Sequence, residues 1–265
     1  MRKARAAPAS FSDHFTQPRL FWLSMTPPER EHIVAAYSFE LSKCQIQAVK
    51  KRTLGVLANI DPELCAAVAE GLGLPAPAAT VPLVAADPSP ALSQLGRSWP
   101  TEGRVIGIVA DAAADPDGVR DARRAVLDAG VTPLVIAPTG GTLDAGGEPV
   151  PVQRTFAATR SVEYDALLFA GTPGAAADAH GARDTKAAIP GSPDTDPRVL
   201  LLLTEAYRHG KAIAAWDGAD RLLATAALDP AVPGIALTDD ATAAVHAVTA
   251  TLTQHRAWGR FPPAG

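Results

Sequence analysis

Short apolar runs alternate with helical patterns from residue 104 onward, and this alternation limits the fold more than any other feature of the chain. The pattern predicts a buried strand at 104–111, a helix at 116–130 and a second strand at 131–137. A strand, a crossover helix and a strand make one βαβ unit, in which the two strands are parallel. The alternation then continues, with strands predicted at 165–171, 212–216 and near 235–237, and helices at 198–209, 219–227 and about 240–256. The predicted fold class is therefore α/β, with a doubly wound, mostly parallel sheet.

Composition supports this fold class and excludes several kinds of partner. Hydrophobic residues make up 47% of the 265 residues but aromatic residues only 5%, so aliphatic side chains must build the core, as in parallel sheets covered by helices. The formal net charge of −4 provides no general attraction for nucleic acid or for an anionic membrane surface. No apolar run approaches the ~18 residues of a membrane span, and no apolar signal segment follows the basic N-terminus. We expect a cytoplasmic protein that contacts neither nucleic acid nor membrane.

The first 74 residues are predicted to form a small all-α segment. Residues 1–25 show no regular pattern and are expected to be irregular. A helix is predicted to start at Thr26, which is the N-cap of a capping box completed by Glu29. Further helices are predicted at 45–57 and 61–70. The first helix carries an apolar stripe at helical spacing, formed by Ile33, Val34, Tyr37, Leu41 and Cys44.

Proline is concentrated between the two parts of the chain. Six prolines fall among small residues in the stretch 75–102, a composition that cannot sustain a helix and indicates an extended linker. The predicted organisation is a helical segment at 1–74, a Pro-rich linker at 75–102 and an α/β domain at 103–265.

Three positions at the predicted carboxyl ends of strands are candidates for chemistry, because open α/β sheets bind ligands at that edge. Asp111 follows the first strand without the GxGxxG or GK[ST] pattern of a nucleotide-phosphate loop. The Gly-Thr-Pro-Gly sequence at 171–174 either presents amide groups to an anion or forms an ordinary turn. Asp217 stands at the corner between the strand 212–216 and the next helix. A carboxylate there can act as a nucleophile or an acid–base group, or it can cap the following helix, and both interpretations remain open.

The residue types that bind metals or form catalytic triads are dispersed. Cys44 and Cys65 lack a CxxC spacing and are expected to be buried thiols in a reducing compartment. The six histidines fall on separate predicted elements, without an HExxH or Ser-His-Asp arrangement: His14, His32, His180, His209, His246 and His255. No metal site is expected, and the long loop 172–196 has no assigned role.

Two ordered blocks of the sequence resemble a known family. The second block, 103–256, resembles the flavodoxin-like domain that large-subunit monofunctional catalases append, itself similar to the PfpI/ThiJ class of the glutamine-amidotransferase-like fold. The first block resembles the helical segment that precedes this domain, and it comprises Ser10-Phe11-Ser12-Asp13-His14-Phe15-Thr16-Gln17-Pro18-Arg19-Leu20-Phe21, Glu29-Arg30, Ile33-Val34, Phe39-Glu40-Leu41-Ser42-Lys43 and Ala58-Asn59-Ile60-Asp61. The resemblance covers nearly the whole chain and implies the C-terminal portion of such a catalase.

The resemblance also implies which groups this chain lacks. The PfpI/ThiJ class carries a catalytic Cys at the strand–helix corner, where Asp217 or its immediate neighbour stands here, so that chemistry is not carried over. Catalases of this family decompose hydrogen peroxide on a haem held in a β-barrel, with a distal His and Asn and a proximal Tyr in an Arg-x-x-x-Tyr context. We expect no counterpart of these groups, because Tyr37, Tyr164 and Tyr207 lie in the appended parts. No haem or other cofactor is therefore expected in this chain.

Two kinds of function follow. The first is a non-catalytic module that stabilises an oligomer, shapes access to a haem channel or acts as a chaperone-like accessory. Its partner would be a second copy of the chain or a separate haem-barrel polypeptide. The second is a small-molecule hydrolase or lyase of the PfpI/ThiJ kind that uses Asp217.

Overall fold

The computed structural model describes residues 6–143, 148–174 and 195–261, and the chain divides into two compact units. The first unit, the helical unit, extends to Leu95, and the second, the α/β unit, spans Gly96–Phe261. This division separates the all-α segment from the parallel sheet.

Four α-helices and one short 3-10 helix, Ala9–Ser12, make up the regular structure of the helical unit within the described residues. The α-helices are α1 (Thr16–Ser24), α2 (Pro27–Ser42), α3 (Gln47–Ile60) and α4 (Pro62–Gly71). Their shared core is apolar and consists of Trp22, Leu41, Leu54, Leu57, Ala58, Leu64, Cys65, Val68 and Ala69.

The expectation that residues 1–25 are irregular is wrong, because α1 lies within them. Asp13 provides a local reason, since its Oδ1 accepts hydrogen bonds from the amides of Phe15 (3.2 Å) and Thr16 (3.0 Å) and so satisfies amide groups at the start of the helix. Trp22 provides the tertiary reason, since it is only 5% exposed within the helical core.

The predicted helix starts in this unit are confirmed. The Glu29 carboxylate accepts hydrogen bonds from both the amide (2.8 Å) and the hydroxyl (2.6 Å) of Thr26, the N-cap of α2. Asp61 caps α4 through bonds from the amides of Glu63 and Leu64, and its other carboxylate oxygen pairs with Arg19 at 2.8 Å.

The segment after α4 contains neither helix nor strand as far as residue 104. It is nevertheless bonded to the helices: the Thr80 amide donates to Asn59 Oδ1 (2.7 Å) and the Ser89 amide donates to Ser24 Oγ (2.8 Å). Part of the Pro-rich stretch therefore lies along the helical unit.

The α/β unit contains eight strands and four α-helices in its described part. The strands are β1 (Val105–Val109), β2 (Thr132–Ala137), β3 (Gly141–Leu143), β4 (Val150–Val152), β5 (Arg154–Thr155), β6 (Ala166–Ala170), β7 (Ala212–Trp216) and β8 (Ile235–Leu237). The helices are α5 (Pro116–Asp128), α6 (Pro197–Arg208), α7 (Asp220–Thr225) and α8 (Ala241–Leu252). Two 3-10 turns, Ser161–Glu163 and Trp258–Arg260, complete the regular structure.

Six of these strands form one sheet in the order β5-β2-β1-β6-β7-β8, and every pairing in it is parallel. The other two, β3 and β4, form an antiparallel pair. The predicted α/β class with a mostly parallel sheet is therefore confirmed.

Both faces of the sheet are covered, which explains why its strands are continuous apolar runs. Alternate residues of β1 face opposite sides. One face packs on α5 and α8, with a core that includes Ile106, Ile108, Leu168, Val119, Val126, Val245 and Val248. The other face packs on α6 and α7, with a core that includes Val109, Leu167, Phe169, Val199, Leu203 and Leu222.

Helices of the α/β unit end close to residues whose backbone is left-handed. Gly130 has φ +72° directly after α5, as a C′ glycine requires, which confirms its predicted role. Two helices are shorter than predicted: α7 stops at Thr225 and α8 stops at Leu252. In each case a non-glycine residue soon after the end is left-handed, Ala227 at φ +54° and His255 at φ +70°, and so cannot continue the helix.

Candidate functional site

The loops after β1, β6 and β7 meet at the carboxyl edge of the sheet. Sheet order reverses at β1, because β2 lies on one side of it and β6 on the other. Open α/β sheets bind ligands in the crevice at such a reversal. This edge holds the three positions that the sequence predicted: Asp111, 171–173 and Asp217.

Asp217 occupies a left-handed corner between β7 and α7. Its φ is +59° and that of the following Gly218 is +77°, while the whole of β7 is buried. A non-glycine residue in this conformation is strained, and a strained strand-to-helix corner is how α/β enzymes expose a nucleophile. The Asp217 side chain is exposed.

The interpretation of Asp217 as a helix cap is wrong. The N-cap of α7 is Ala219, and no side chain caps this helix. The left-handed turn instead places Asp217 beside Gly171 after β6. A Cβ added to Gly171 would lie 3.5 Å from the Asp217 carbonyl oxygen and 3.9 Å from Asp217 Oδ2.

Hydrogen bonds within the chain use both Asp111 and the turn after β6. Asp111 Oδ2 accepts from the Gly174 amide at 2.8 Å, and Asp111 Oδ1 accepts from the Ala113 amide at 2.9 Å. The Gly171 amide donates to the Trp216 carbonyl oxygen at 3.0 Å. Two amides of the predicted anion-binding turn are thus already bonded inside the protein, which favours the ordinary-turn interpretation. Most of the loop 172–196 lies outside the described residues.

An open pocket of about 400 Å³ lies beside Asp217, on the side of the sheet covered by α5 and α8. Its walls are strongly acidic and consist of Asp115, Asp117, Gly118, Asp121, Trp216, Asp217, Asp239, Asp240, Ala241 and Thr242. No basic side chain lines it, so it does not suit an anionic ligand.

Much of this acidity has a structural role. Asp115 accepts from two amides at the start of α5, and Asp240 accepts from the Ala243 amide at the start of α8. Asp117 forms an ion pair with Arg120 on the same helix. This acidic pocket was not predicted from the sequence, although the Asp residues before α5 and α8 are typical helix-start signals.

Comparison with known proteins decides the family. A family model described as "C-terminal domain found in long catalases" matches residues 102–262, and a second, "Catalase-related immune-responsive", matches residues 8–72. The chain belongs to the family of long-catalase C-terminal domains. The resemblance inferred from the two sequence blocks is confirmed.

Relatives of this catalase domain align along nearly all of it. Catalase HPII of Pseudomonas aeruginosa is 37% identical over 262 residues, which cover 97% of this chain and 35% of the relative. Catalase-2 of Bacillus subtilis is 30% identical over 263 residues, covering 98% of this chain and 36% of the relative. Catalase-B of Dictyostelium discoideum is 30% identical over 257 residues, covering 95% and 35% respectively. The chain thus spans about a third of the length of these relatives.

The catalase family implies haem, and a tyrosine is the residue that would bind its iron. Of the three tyrosines, Tyr164 has the Arg-x-x-x-Tyr spacing, with Arg160. Tyr164 is 2% exposed, and its hydroxyl is hydrogen-bonded to Thr159 Oγ1. Burial raises the pKa of Tyr164 to about 12, which disfavours the phenolate that an iron ligand must supply. Tyr164 therefore does not fit haem.

The other two tyrosines lie on helices of the two units. Tyr37 is exposed on α2, and the Tyr207 ring, on α6, faces the Arg260 guanidinium at 4.9 Å.

The two cysteines differ in their burial. Cys65 is buried, and its Sγ donates a hydrogen bond to the Leu54 carbonyl oxygen. Burial raises the pKa of the Cys65 thiol, whereas Cys44 is only half-buried.

Metal sites and membrane spans were searched for among the residues that the structure describes. No group of three or more His, Cys, Asp or Glu among these residues is arranged to hold a metal ion. None of the helices that the structure describes is both long and apolar enough to span a bilayer.

Proposed function

We propose that this chain is a non-catalytic module of a long catalase, which supports hydrogen peroxide decomposition by a haem-barrel polypeptide without itself carrying the reaction. The observation that carries the proposal is the family match over both units, combined with a buried, hydrogen-bonded Tyr164 that does not fit haem iron. The module would stabilise the catalase oligomer or act as a chaperone-like accessory. We place it in the cytoplasm, on the basis of free thiols at Cys44 and Cys65.

The strand order supports a flavodoxin-like fold for the α/β unit. With the short strands β3, β4 and β5 set aside, the sheet order is β2-β1-β6-β7-β8. In chain order these strands are 2-1-3-4-5, the flavodoxin-like arrangement. The left-handed corner at Asp217 supports the further likeness to glutamine-amidotransferase-like folds.

The helical unit carries the surface that we propose for the partner. Most of the large hydrophobic side chains that are exposed in the described residues belong to this unit, including Phe11 (76%), Phe39 (62%) and Ile46 (65%). A groove of about 520 Å³ also opens on it, lined by Gln17, Pro18, Phe21, Trp22, Ile33, Tyr37, Ile60 and Leu64. Apolar surface of this extent favours association with a second copy of the chain or with a haem-barrel polypeptide.

The test combines haem chemistry with assembly. The purified chain is titrated with haem while its Soret absorbance and oxygen release from peroxide are followed. It is then mixed with the N-terminal portion of Pseudomonas aeruginosa Catalase HPII, expressed separately, and the rate of thermal inactivation of peroxide turnover is measured. We expect neither a Soret band nor oxygen from the chain alone, and slower inactivation of the mixture.

A matched pair of variants assigns the interaction to the helical unit. Ile46→Ser should reduce self-association or partner binding in light scattering, whereas Val162→Ser, on the α/β unit and 84% exposed, should not. Haem binding with turnover by the chain alone would overturn the proposal. So would a concentration-independent monomer that leaves the inactivation rate unchanged.

A hydrolase or lyase of the PfpI/ThiJ kind is the second candidate. It is favoured by one observation, the exposed left-handed Asp217 beside the pocket of about 400 Å³. Turnover of small esters, amides and ketoaldehydes is assayed for the unmodified chain, for Asp217→Asn and for the matched control Asp239→Asn, which changes the same pocket. The candidate is rejected when every activity survives Asp217→Asn.

A further inference from the structure

Three aromatic rings join the residues after α8 to the segment that precedes β1, entirely within the α/β unit. The His255 ring lies between two tryptophans, with centroids 6.0 Å from Trp99 and 6.3 Å from Trp258. Beside the rings, the Trp99 amide donates a hydrogen bond of 2.7 Å to the Thr253 carbonyl oxygen. This arrangement fixes the segment 99–104 to the residues that follow α8.

One further hydrogen bond defines the protonation state of His255. Arg104 Nη1 lies 3.1 Å from His255 Nδ1. A guanidinium group can only donate, so Nδ1 must accept and must carry no proton. The imidazole in this arrangement is therefore neutral, with its hydrogen on Nε2.

Charged groups of both signs lie near the contact between Arg104 and His255. Arg256 Nη1 donates to the His255 carbonyl oxygen (3.0 Å), and the buried Lys211 ammonium interacts electrostatically with Arg256. Asp165 pairs with Arg104, with its Oδ1 3.6 Å from Arg104 Nη1, and it also acts on Arg256 and Lys211. Glu205 also acts on Lys211. A proton added to Nδ1 of His255 would face the Arg104 guanidinium directly, at 3.1 Å.

We propose that His255 is an acid-sensitive latch. When neutral, it accepts from Arg104 and holds the segment 99–104 against the residues after α8. A proton on Nδ1 removes this acceptor and puts two positive charges in hydrogen-bond contact, which releases Trp99 and its bond to Thr253. The left-handed backbone at His255, φ +70°, favours release because that conformation is strained for a non-glycine residue.

Two nuclear magnetic resonance measurements on the intact chain test the latch. The ¹⁵N shifts of the imidazole report its tautomer at about pH 8 and its protonation down to about pH 5, the range in which histidine titrates. Hydrogen exchange reports the protection of the Trp99 amide over the same range. The Ala110 amide, bonded to the Ile136 carbonyl oxygen inside the sheet at 3.0 Å, serves as the internal control for global unfolding.

The expected result is an Nε2–H tautomer at high pH and a loss of Trp99 protection of about tenfold as Nδ1 is protonated, because a hydrogen bond to a charged group is lost. Ala110 protection should not change. His255→Asn should abolish the pH dependence, since Asn Oδ1 can accept from Arg104, tolerates positive φ and does not titrate. The matched control His246→Asn, at an exposed position on α8, should behave as the unmodified chain.

Three results would overturn the latch. They are an Nδ1–H tautomer at about pH 8, Trp99 protection that does not change while His255 titrates, and a pH dependence that survives in His255→Asn. The first two are measured on the unmodified chain, so they decide the matter even when the variant does not fold.

Discussion

Lys211 Nζ donates a hydrogen bond of 2.6 Å to the main-chain oxygen of Tyr164, which connects the start of β7 to the start of β6. The same ammonium group donates to the Ser161 carbonyl oxygen, and Lys211 is only 5% exposed. Burial, assisted by the charge of Arg256, lowers the pKa of Lys211 from 10.5 to about 8. The Lys211 ammonium is therefore held at the amino-terminal edge of the sheet, where its removal from water costs free energy of folding.

This cost predicts a pH dependence of stability. Between about pH 8 and 10.5 the folded chain has released the Lys211 proton while the unfolded chain still binds it, so the free energy of unfolding should rise with pH across this window. The gain is at most about 3 kcal/mol, the equivalent of the shift in pKa. Urea unfolding at several pH values should show this rise in the unmodified chain relative to Lys211→Met. Parallel pH profiles for the two proteins would contradict the assignment.

Gly107 in the centre of β1 should not tolerate a side chain. An added Cβ would lie 2.8 Å from Ile136 Cδ1, 2.8 Å from Leu167 Cδ2 and 2.9 Å from Tyr164 Cδ1. Gly107→Ala should lower the free energy of unfolding by about 1–3 kcal/mol through overpacking.

A second glycine provides the control for this prediction. Gly55 lies inside α3, and an added Cβ there meets nothing within 4 Å. Gly55→Ala should therefore stabilise the helical unit by about 0.5–1 kcal/mol through helix propensity. Thermal unfolding of both variants measures the contrast, and equal effects of the two substitutions would refute the packing argument.

Asp217 should be replaceable by glycine with a gain in stability. Its φ of +59° is strained for a residue with a Cβ but not for glycine. Asp217→Gly should raise the free energy of unfolding by about 1 kcal/mol, whereas the β-branched Asp217→Val should lower it. Denaturant unfolding separates the two, and a loss of stability in Asp217→Gly would mean that the carboxylate makes a stabilising contact that outweighs the strain.

Two helix caps should differ in their importance. Asp61 caps α4 and also pairs with Arg19 at 2.8 Å, where both side chains are largely buried, while Asp240 caps α8 without an ion pair to any residue that the structure describes. Asp61→Ala should therefore cost about 2–4 kcal/mol, and Asp240→Ala about 1 kcal/mol. Hydrogen exchange at the first amides of α4 and α8 measures each effect locally. Equal costs would indicate that the ion pair contributes nothing.

Features governed by neighbouring residues could be predicted from the sequence alone. Thr26 with Glu29, Asp61 before Pro62 and Gly130 after α5 all act within a few residues, and each was located correctly. The apolar runs of the strands, buried on both faces, likewise predicted the parallel sheet.

Features that join distant parts of the chain could not. Trp22 of α1 packs in a core whose other buried residues belong to later helices. Nothing within residues 1–25 indicates this contact, so the stretch was expected to be irregular. Arg160 and Tyr164 have the spacing of a haem-ligand pattern, and the tertiary structure adds a physical reason against that role, because burial raises the pKa of Tyr164 to about 12.

The candidate sites show the same division. Sequence placed Asp217 at the corner after β7, but only the fold gave it a left-handed backbone and a position beside Gly171. Arg104 and His255 are 151 residues apart, and nothing in their local sequence indicates that they meet. Helix starts, turns and burial patterns depend on local hydrogen bonding and hydrophobic periodicity, which the sequence states directly. Which side chains share a site depends on the packing of elements far apart in the chain, and tertiary structure alone decides it.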